Sequence, residues 1–359
     1  MSATTTRSTL RAATLIGAGL AASLTAGPAA QADDCDRACL VDLADAVVDA
    51  MQARTPAGLP LGQRARYTEN GQPLRIGDGL WGTLTDFAAA DGDGYRLDVV
   101  DEDAGAVVAL RAIEENGVPG LLTLRLSAPS GVISELEAVV LREEGFGEGG
   151  GTVTLFQPRL LTEFDPDAFT APTAAFRSPA PTPAGALEAA ADAYFDALEA
   201  GDSSQAAFAG GCAQRNNGVA VVGAADAAPL DQDVPGYRPF AMGCAEQIDS
   251  GFFANVSDVR ESATVADPAA GLVVALAVVD HPGTPQSFTA PGFGEVDYPG
   301  PRFAPDSFDM DLFRTMSGPN LIVPTTDLVV QVFKIEDGAI ARMETLTRGG
   351  PYGMGRGWE

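Results

Sequence analysis

Apolar positions along the chain keep two different periods. Residues 35–53 (CDRACLVDLADAVVDAMQA) place Leu40, Leu43, Val47, Val48 and Met51 at intervals of three and four. That spacing predicts a helix with one apolar face, ended by Pro56 and Gly58. A polar, glycine-rich stretch follows over 65–81. Four strand-like runs come next, at 95–101, 106–114, 119–127 and 132–142, separated by the turn signals DEDAG, EENG and APSG. They predict an antiparallel meander. Residues 185–200 (GALEAAADAYFDALEA) then return to helical spacing.

The second half echoes the first. CAQRNNG (212–218) falls where ARYTENG (65–71) fell, and ADPAAGLVVALAVVDHPG matches DEDAGAVVALRAIEENG. Gly105 to Gly117 and Gly271 to Gly283 both span 12 residues. DLVVQVFKIEDGAIARMETLT matches LLTLRLSAPSGVISELEAVVL. Four elements matched in one order predict a tandem duplication, with a period too long for a solenoid. Pro166, Pro172, Pro179, Pro181 and Pro183 mark an extended linker between the copies. The expected organisation is a first domain at 33–160, a linker at 161–184, a second domain at 185–348 and a tail at 349–359. An insertion at 284–326, with Phe288, Phe293, Phe303, Phe308 and Phe313, interrupts the second domain. Its aromatic content predicts an ordered segment that lids a cavity or docks onto the first half.

The leading residues change how the rest is read. Arg7 and Arg11 precede an apolar run at 12–26, and Ala30-Gln31-Ala32 offers a small-x-small cleavage site. Residues 1–32 therefore read as a secretory signal, with a run too short to span a bilayer. The expectation is an exported protein, secreted or periplasmic, with no membrane span. The full chain carries 22 basic and 49 acidic residues; without the two leader arginines the balance is 20 against 49, a net of −29. Such a surface repels phosphate backbones, so no nucleic-acid partner is expected. Export also places Cys35, Cys39, Cys212 and Cys244 in an oxidising compartment. Cys212–Cys244 is the favoured bridge, Cys35 and Cys39 can close a local one, and a zinc site is the second reading.

Several segments together resemble a known family: CDRACL (35–40), RYTENGQPLRIGDGLWGT (66–83), EENG (114–117), DHPG (280–283) and PYGMGRGW (351–358). The chain is similar to exported fungal and bacterial proteins of unknown function, built from two nuclear-transport-factor-like halves. That fold also serves polyketide-cyclase-like and small isomerase enzymes. The resemblance covers the chain after the leader. It implies an α+β class: tandem duplicated cone-like units, each an N-terminal helix packed on a curved antiparallel sheet, with the two halves packed on each other. It implies no established activity, because such folds host enzymes and plain binding modules alike.

Two places could carry chemistry. His281, the only histidine, follows Asp280 at a predicted strand end. It is a candidate general base, against the reading of a turn histidine at a hairpin mouth. Adjacent strand residues face opposite ways, so Asp280 need not orient it. The stretch 66–81 is the second place. Glu69 and Asp78 are candidate proton acceptors; Arg66, Tyr67, Asn70 and Trp81 are candidate ligand contacts, with Arg215 as the counterpart of Arg66. The competing reading makes Asn70-Gly71 and Asp78-Gly79 turns, Trp81 core, and Arg66 a tie to Glu69. GFGEGGG (145–151) lacks the lysine of a phosphate loop, and Asp91-Gly92-Asp93-Gly94 lacks the later ligands of a calcium loop. No metal or cofactor is predicted. Asn255-Val256-Ser257 is a glycosylation sequon in a eukaryotic host. The expectation is a small-ligand protein, with a cofactor-free isomerase, cyclase or dehydratase as the enzymatic form. The alternative is a non-catalytic binding or interaction module in which the halves form an internal pseudo-dimer.

Overall fold

The computed structural model describes residues 35–87, 95–142, 181–216, 219–222, 241–290, 294–297 and 324–358. The expected leader, Asp91–Gly94, the 145–151 loop, Asn217-Gly218, most of the linker and most of the insertion lie outside these residues.

Helix α1 (Arg37–Gln52) starts where the Asp36 side chain accepts the Cys39 amide at 3.0 Å. It buries Leu40, Ala44, Val47, Val48 and Met51 along one stripe. Strands β1 (Leu61–Glu69), β2 (Gln72–Leu74), β3 (Leu84–Phe87), β4 (Arg96–Asp101), β5 (Ala106–Glu115), β6 (Val118–Ser127) and β7 (Ile133–Arg142) follow. They form one sheet in the order β2-β1-β7-β6-β5-β3, with β4 also on β5. Helix α2 (Ala184–Ala200) is closed by Gly201 in the left-handed region, φ 62°. After it come β8 (Phe208–Asn216), β9 (Val219–Val222), the short helix α3 (Cys244–Asp249), β10 (Asp258–Asp267) and β11 (Leu272–His281). A small hairpin of β12 (Ser287–Ala290) and β13 (Gly294–Asp297) precedes β14 (Thr325–Glu336) and β15 (Ala339–Pro351). The second large sheet runs β10-β11-β14-β15-β8-β9. Both sheets are mixed: β1 lies parallel to β7, and β8 parallel to β15.

Three buried clusters give the layering. One joins α1 to Val107, Ala109, Leu122, Leu124, Leu136 and Ala138 of the first sheet. Another joins α2 to Val273, Ala275, Ala277, Phe333 and Met343 of the second. Between them, Val99, Val108, Leu110, Leu121 and Val139 of the first sheet meet Val274, Leu276, Val278, Val330 and Val332 of the second. The order is therefore helix, sheet, sheet, helix. Arg37 crosses to Asp267 at 2.6 Å, and the Val100 amide reaches the same carboxylate at 3.3 Å. Both sheets are thus tied at the start of α1.

The expected α+β class of duplicated helix-on-sheet cones is corrected by this architecture. The molecule is mostly sheet, with 50% strand against 21% helix and three helices among the described residues. Its two large sheets are mixed, not antiparallel, and each gives one full face to a shared core. The reason is visible in β11, which is buried at all ten positions. Its odd residues pack under α2 and its even residues against the other sheet. A strand buried on both faces reads as a continuous apolar run, and the run does not say what covers its second face. Strands β1 and β8 fall in the stretches expected to be polar loop. Their exposed residues and distant parallel partners leave no local hairpin signal.

Both disulfides form: Cys35–Cys39 at the start of α1, with Cα atoms 5.3 Å apart, and Cys212–Cys244 between β8 and α3, at 5.9 Å. All four cysteines are used, which removes them as zinc ligands. Among the described residues no helix is long and apolar enough to cross a membrane. Asn255 is only 2% exposed, so the sequon side chain is buried in the folded protein.

Candidate functional site

The two expected sites lie on different sheets and differ in how fully their polar atoms are used. In the first sheet, β1 ends by carrying Tyr67 and Glu69 onto the face that α1 covers. The turn at Asn70-Gly71 then leads to the 3-10 turn Gly79–Gly82, which buries Leu80 and Trp81. Glu69 is saturated there. Its Oε2 accepts the Tyr67 hydroxyl at 2.9 Å and the Leu80 amide at 2.7 Å; its Oε1 accepts Arg142 at 2.8 Å. Arg142 also pairs with Glu115, which accepts the Thr83 hydroxyl as well. Burial alone would raise the Glu115 carboxyl, but hydrogen bonds from Arg142 and Thr83 hold it below the ordinary carboxylate range. Burial pushes the Tyr67 hydroxyl well above its usual value, and the Glu69 charge adds to that. Trp81 packs edge-on against Tyr67, ring centres 6.3 Å apart.

The remaining residues of that stretch are placed differently. The Asn70 side chain accepts the Val140 amide at 2.8 Å and so extends the β1–β7 pairing by one bond. Asp78 is exposed and makes no capping hydrogen bond. Arg66 points to the opposite face of β1, donating to Glu135 at 2.9 Å and to the Trp358 carbonyl at 3.2 Å. Arg215, on β8, stands opposite Glu344 of β15.

The second sheet carries His281 as the last residue of β11, on the face that α2 covers. Across the β11–β14 ladder, Val279 is opposite Asp327 and His281 opposite Thr325, so Asp327 sits diagonally beside the imidazole. Nε2 of His281 lies 3.5 Å from Oδ2 of Asp327. Both residues are buried, at 7% and 6% exposure. Their other polar atoms, Nδ1 of His281 and Oδ1 of Asp327, are buried and have no hydrogen-bond partner among the described residues. Thr325 Oγ1 and Asn255 Nδ2 are in the same condition. Asn255 lies two residues before Ser257, whose amide bonds to the Asp280 carbonyl at 2.9 Å. Further along the same face, Gln214 donates to Thr345, which donates to Gln331, each at 2.8 Å, and Gln331 Nε2 has no partner among the described residues. Val256, Val279 and Val329 pack between the two polar stations.

Residues 182–347 match the model of a domain of unknown function, DUF8021. No curated protein matches the chain. The matched stretch takes in α2, β8 to β14 and most of β15, and so contains His281, Asp327, Gln331 and Arg215. The stretch around Glu69 lies outside it.

Asp280 does not touch the imidazole. It faces the other sheet, where Arg260 grips its carboxylate at 3.0 and 3.1 Å and Thr326 donates to it. Burial works against its charge, but Arg260 and Thr326 hold its carboxyl below the ordinary range. Asp327 is the residue that sequence reasoning missed. A stretch of more than 40 residues separates it from His281, so no local spacing announces the pair. Gln331 and Thr345 were missed because single polar residues in strand-like runs look solvent-facing.

Chemically, a carboxylate at Nε2 favours the tautomer that carries its proton there and leaves Nδ1 as a base. The bare Asp327 oxygen is a second acceptor. The arrangement suits a ligand that offers hydroxyl or amine hydrogens, and disfavours an anion. Glu115, the last residue of the ten-residue β5, occupies the corresponding strand position in the first sheet, where Arg142 already fills the space.

Proposed function

We propose that this protein is exported and binds a small uncharged or cationic molecule beside His281 and Asp327, on the α2-facing side of the second sheet. The observation that carries the reading is the buried His281–Asp327 pair, whose Nδ1 and Oδ1 have no hydrogen-bond partner among the described residues. Leaving buried polar atoms unpaired costs about 1–3 kcal/mol each, which a bound ligand or water would relieve. The chemistry that fits is proton transfer without a cofactor, of the kind an isomerase, cyclase or dehydratase performs. His281 serves as general base and Asp327 orients it. The Glu69 cluster has a holding role in this reading.

A thermal-shift screen of the mature protein against uncharged hydroxy- and keto-compounds tests it. Compounds that stabilise the wild type should lose at least tenfold in affinity with His281→Ala and Asp327→Asn, and keep it with Asp78→Ala. Equal stabilisation of all variants would overturn the site. Binding that depends on His281, with no turnover of any binder, would favour the non-catalytic binding module.

A further inference from the structure

We infer that residues 352–358 act as a strap that positions the His281–Asp327 pair from behind. Two links join the strap to the strand ends that carry the pair. The Gly353 amide donates to the Thr326 hydroxyl at 2.7 Å, and Thr326 in turn donates to Asp280. Arg260 donates to the Met354 carbonyl at 2.6 Å while gripping the Asp280 carboxylate. Asp280 and Thr326 stand opposite each other in the ladder, each one residue before a member of the pair. Their side chains face away from it, so the strap reaches the pair through two adjacent backbones and touches neither side chain.

The far end of the strap is fastened to the first sheet. Arg356 is 4% exposed and makes two charge-assisted bonds to Glu137 of β7, one of them at 2.9 Å. The Trp358 ring lies beneath the Arg66 and Arg125 guanidinium groups, 4.8 and 5.5 Å from its centre. Between the anchors the backbones nearly touch. A Cβ on Gly71 would stand 2.5 Å from the Gly355 carbonyl oxygen, and one on Gly357 would stand 2.7 Å from that of Gly71. The strap therefore joins the turn after Glu69 in one sheet to the ends of β11 and β14 in the other. Arg66 and Arg356 become positioning residues: neither meets a ligand at the pair, and both fix the segment that holds Asp280 and Thr326.

The inference rests on the reading of His281 and Asp327 as the working pair, but its test needs no ligand. His281 is the only histidine, so the ¹⁵N spectrum of the full chain holds a single imidazole pattern. Wild type should show one tautomer, protonated at Nε2. Arg356→Gln should convert this into an averaged two-tautomer pattern, and Arg356→Lys should restore it in part. Arg66→Gln, at an exposed residue, serves if Arg356→Gln does not fold. An unchanged imidazole pattern in the folded variants, even with a lowered melting temperature, would make 352–358 a stabilising cap only and overturn the inference. A changed pattern in a protein that binds no screened compound would keep the strap and remove the ligand reading.

Discussion

Glu69 and His281 each end a strand, but Glu69 is saturated by protein donors while Nδ1 of His281 has no hydrogen-bond partner among the described residues. Three donors converge on Glu69, from Tyr67, Leu80 and Arg142, and none of its bonds exceeds 2.9 Å. Replacing it with alanine takes one of its carboxylate partners from Arg142 and leaves the buried Tyr67 hydroxyl and Leu80 amide without their acceptor. The expected cost is about 2–3 kcal/mol, read as a lower urea midpoint. Both residues were visible in the sequence as chemically able groups. Whether each was already occupied was not, because the answer depends on Arg142 and Asp327, which arrive from distant strands. Arg142 closes the last strand of the first sheet, and Asp327 enters β14 after the long insertion. Residue type was legible at these sites, but pairing was not.

Among the elements, the helices and the meander strands were the legible part. Local periodicity places α1, α2 and β4 to β7 within a few residues of where they lie. Strands β1 and β8 escaped because each has a parallel neighbour far along the chain and a polar outer face. The Cys212–Cys244 bridge compensates on one side: it fastens β8 to α3 across a separation of 32 residues. Replacing both cysteines with serine should lower stability by about 3–4 kcal/mol, measured by chemical denaturation, since a loop of that length regains its closure entropy. The shorter Cys35–Cys39 bridge spans four residues and should be worth less, about 2 kcal/mol.

For the whole molecule, the excess of acid is met inside by arginine. Asp45, Glu115, Glu135 and Asp280 all have carboxyls below the ordinary range. Burial pulls each upward, but arginine bonds prevail at Asp45 (Arg96 and Arg111), Glu115 (Arg142), Glu135 (Arg125 and Arg66) and Asp280 (Arg260). Unfolded, these groups take up protons in the ordinary carboxylate range; folded, they resist until lower pH. The stability they contribute is therefore full above that range and is lost as pH falls through their folded values. Melting temperature should stay level from neutral pH to about 5 and drop below about 4. Glu115→Gln should flatten part of that drop. A melting curve that is constant down to strong acid would contradict this account. The sequence announced the charge excess, but the pairing of arginines with particular carboxylates follows from two sheets whose packing no local pattern encodes.

The parallel pairing of β1 with β7 and of β8 with β15 also has a consequence in time. Thr68 meets Glu137, and Asn216 meets Thr345, so neither sheet can close before its last strand exists. Such distant contacts slow folding, because a long loop must be drawn shut before the contact is gained. In a chain made outward from its first residue, the second sheet would shut only after β15 was complete. Rigidity therefore arrives in two stages, the first sheet with β7 and the second only with β15.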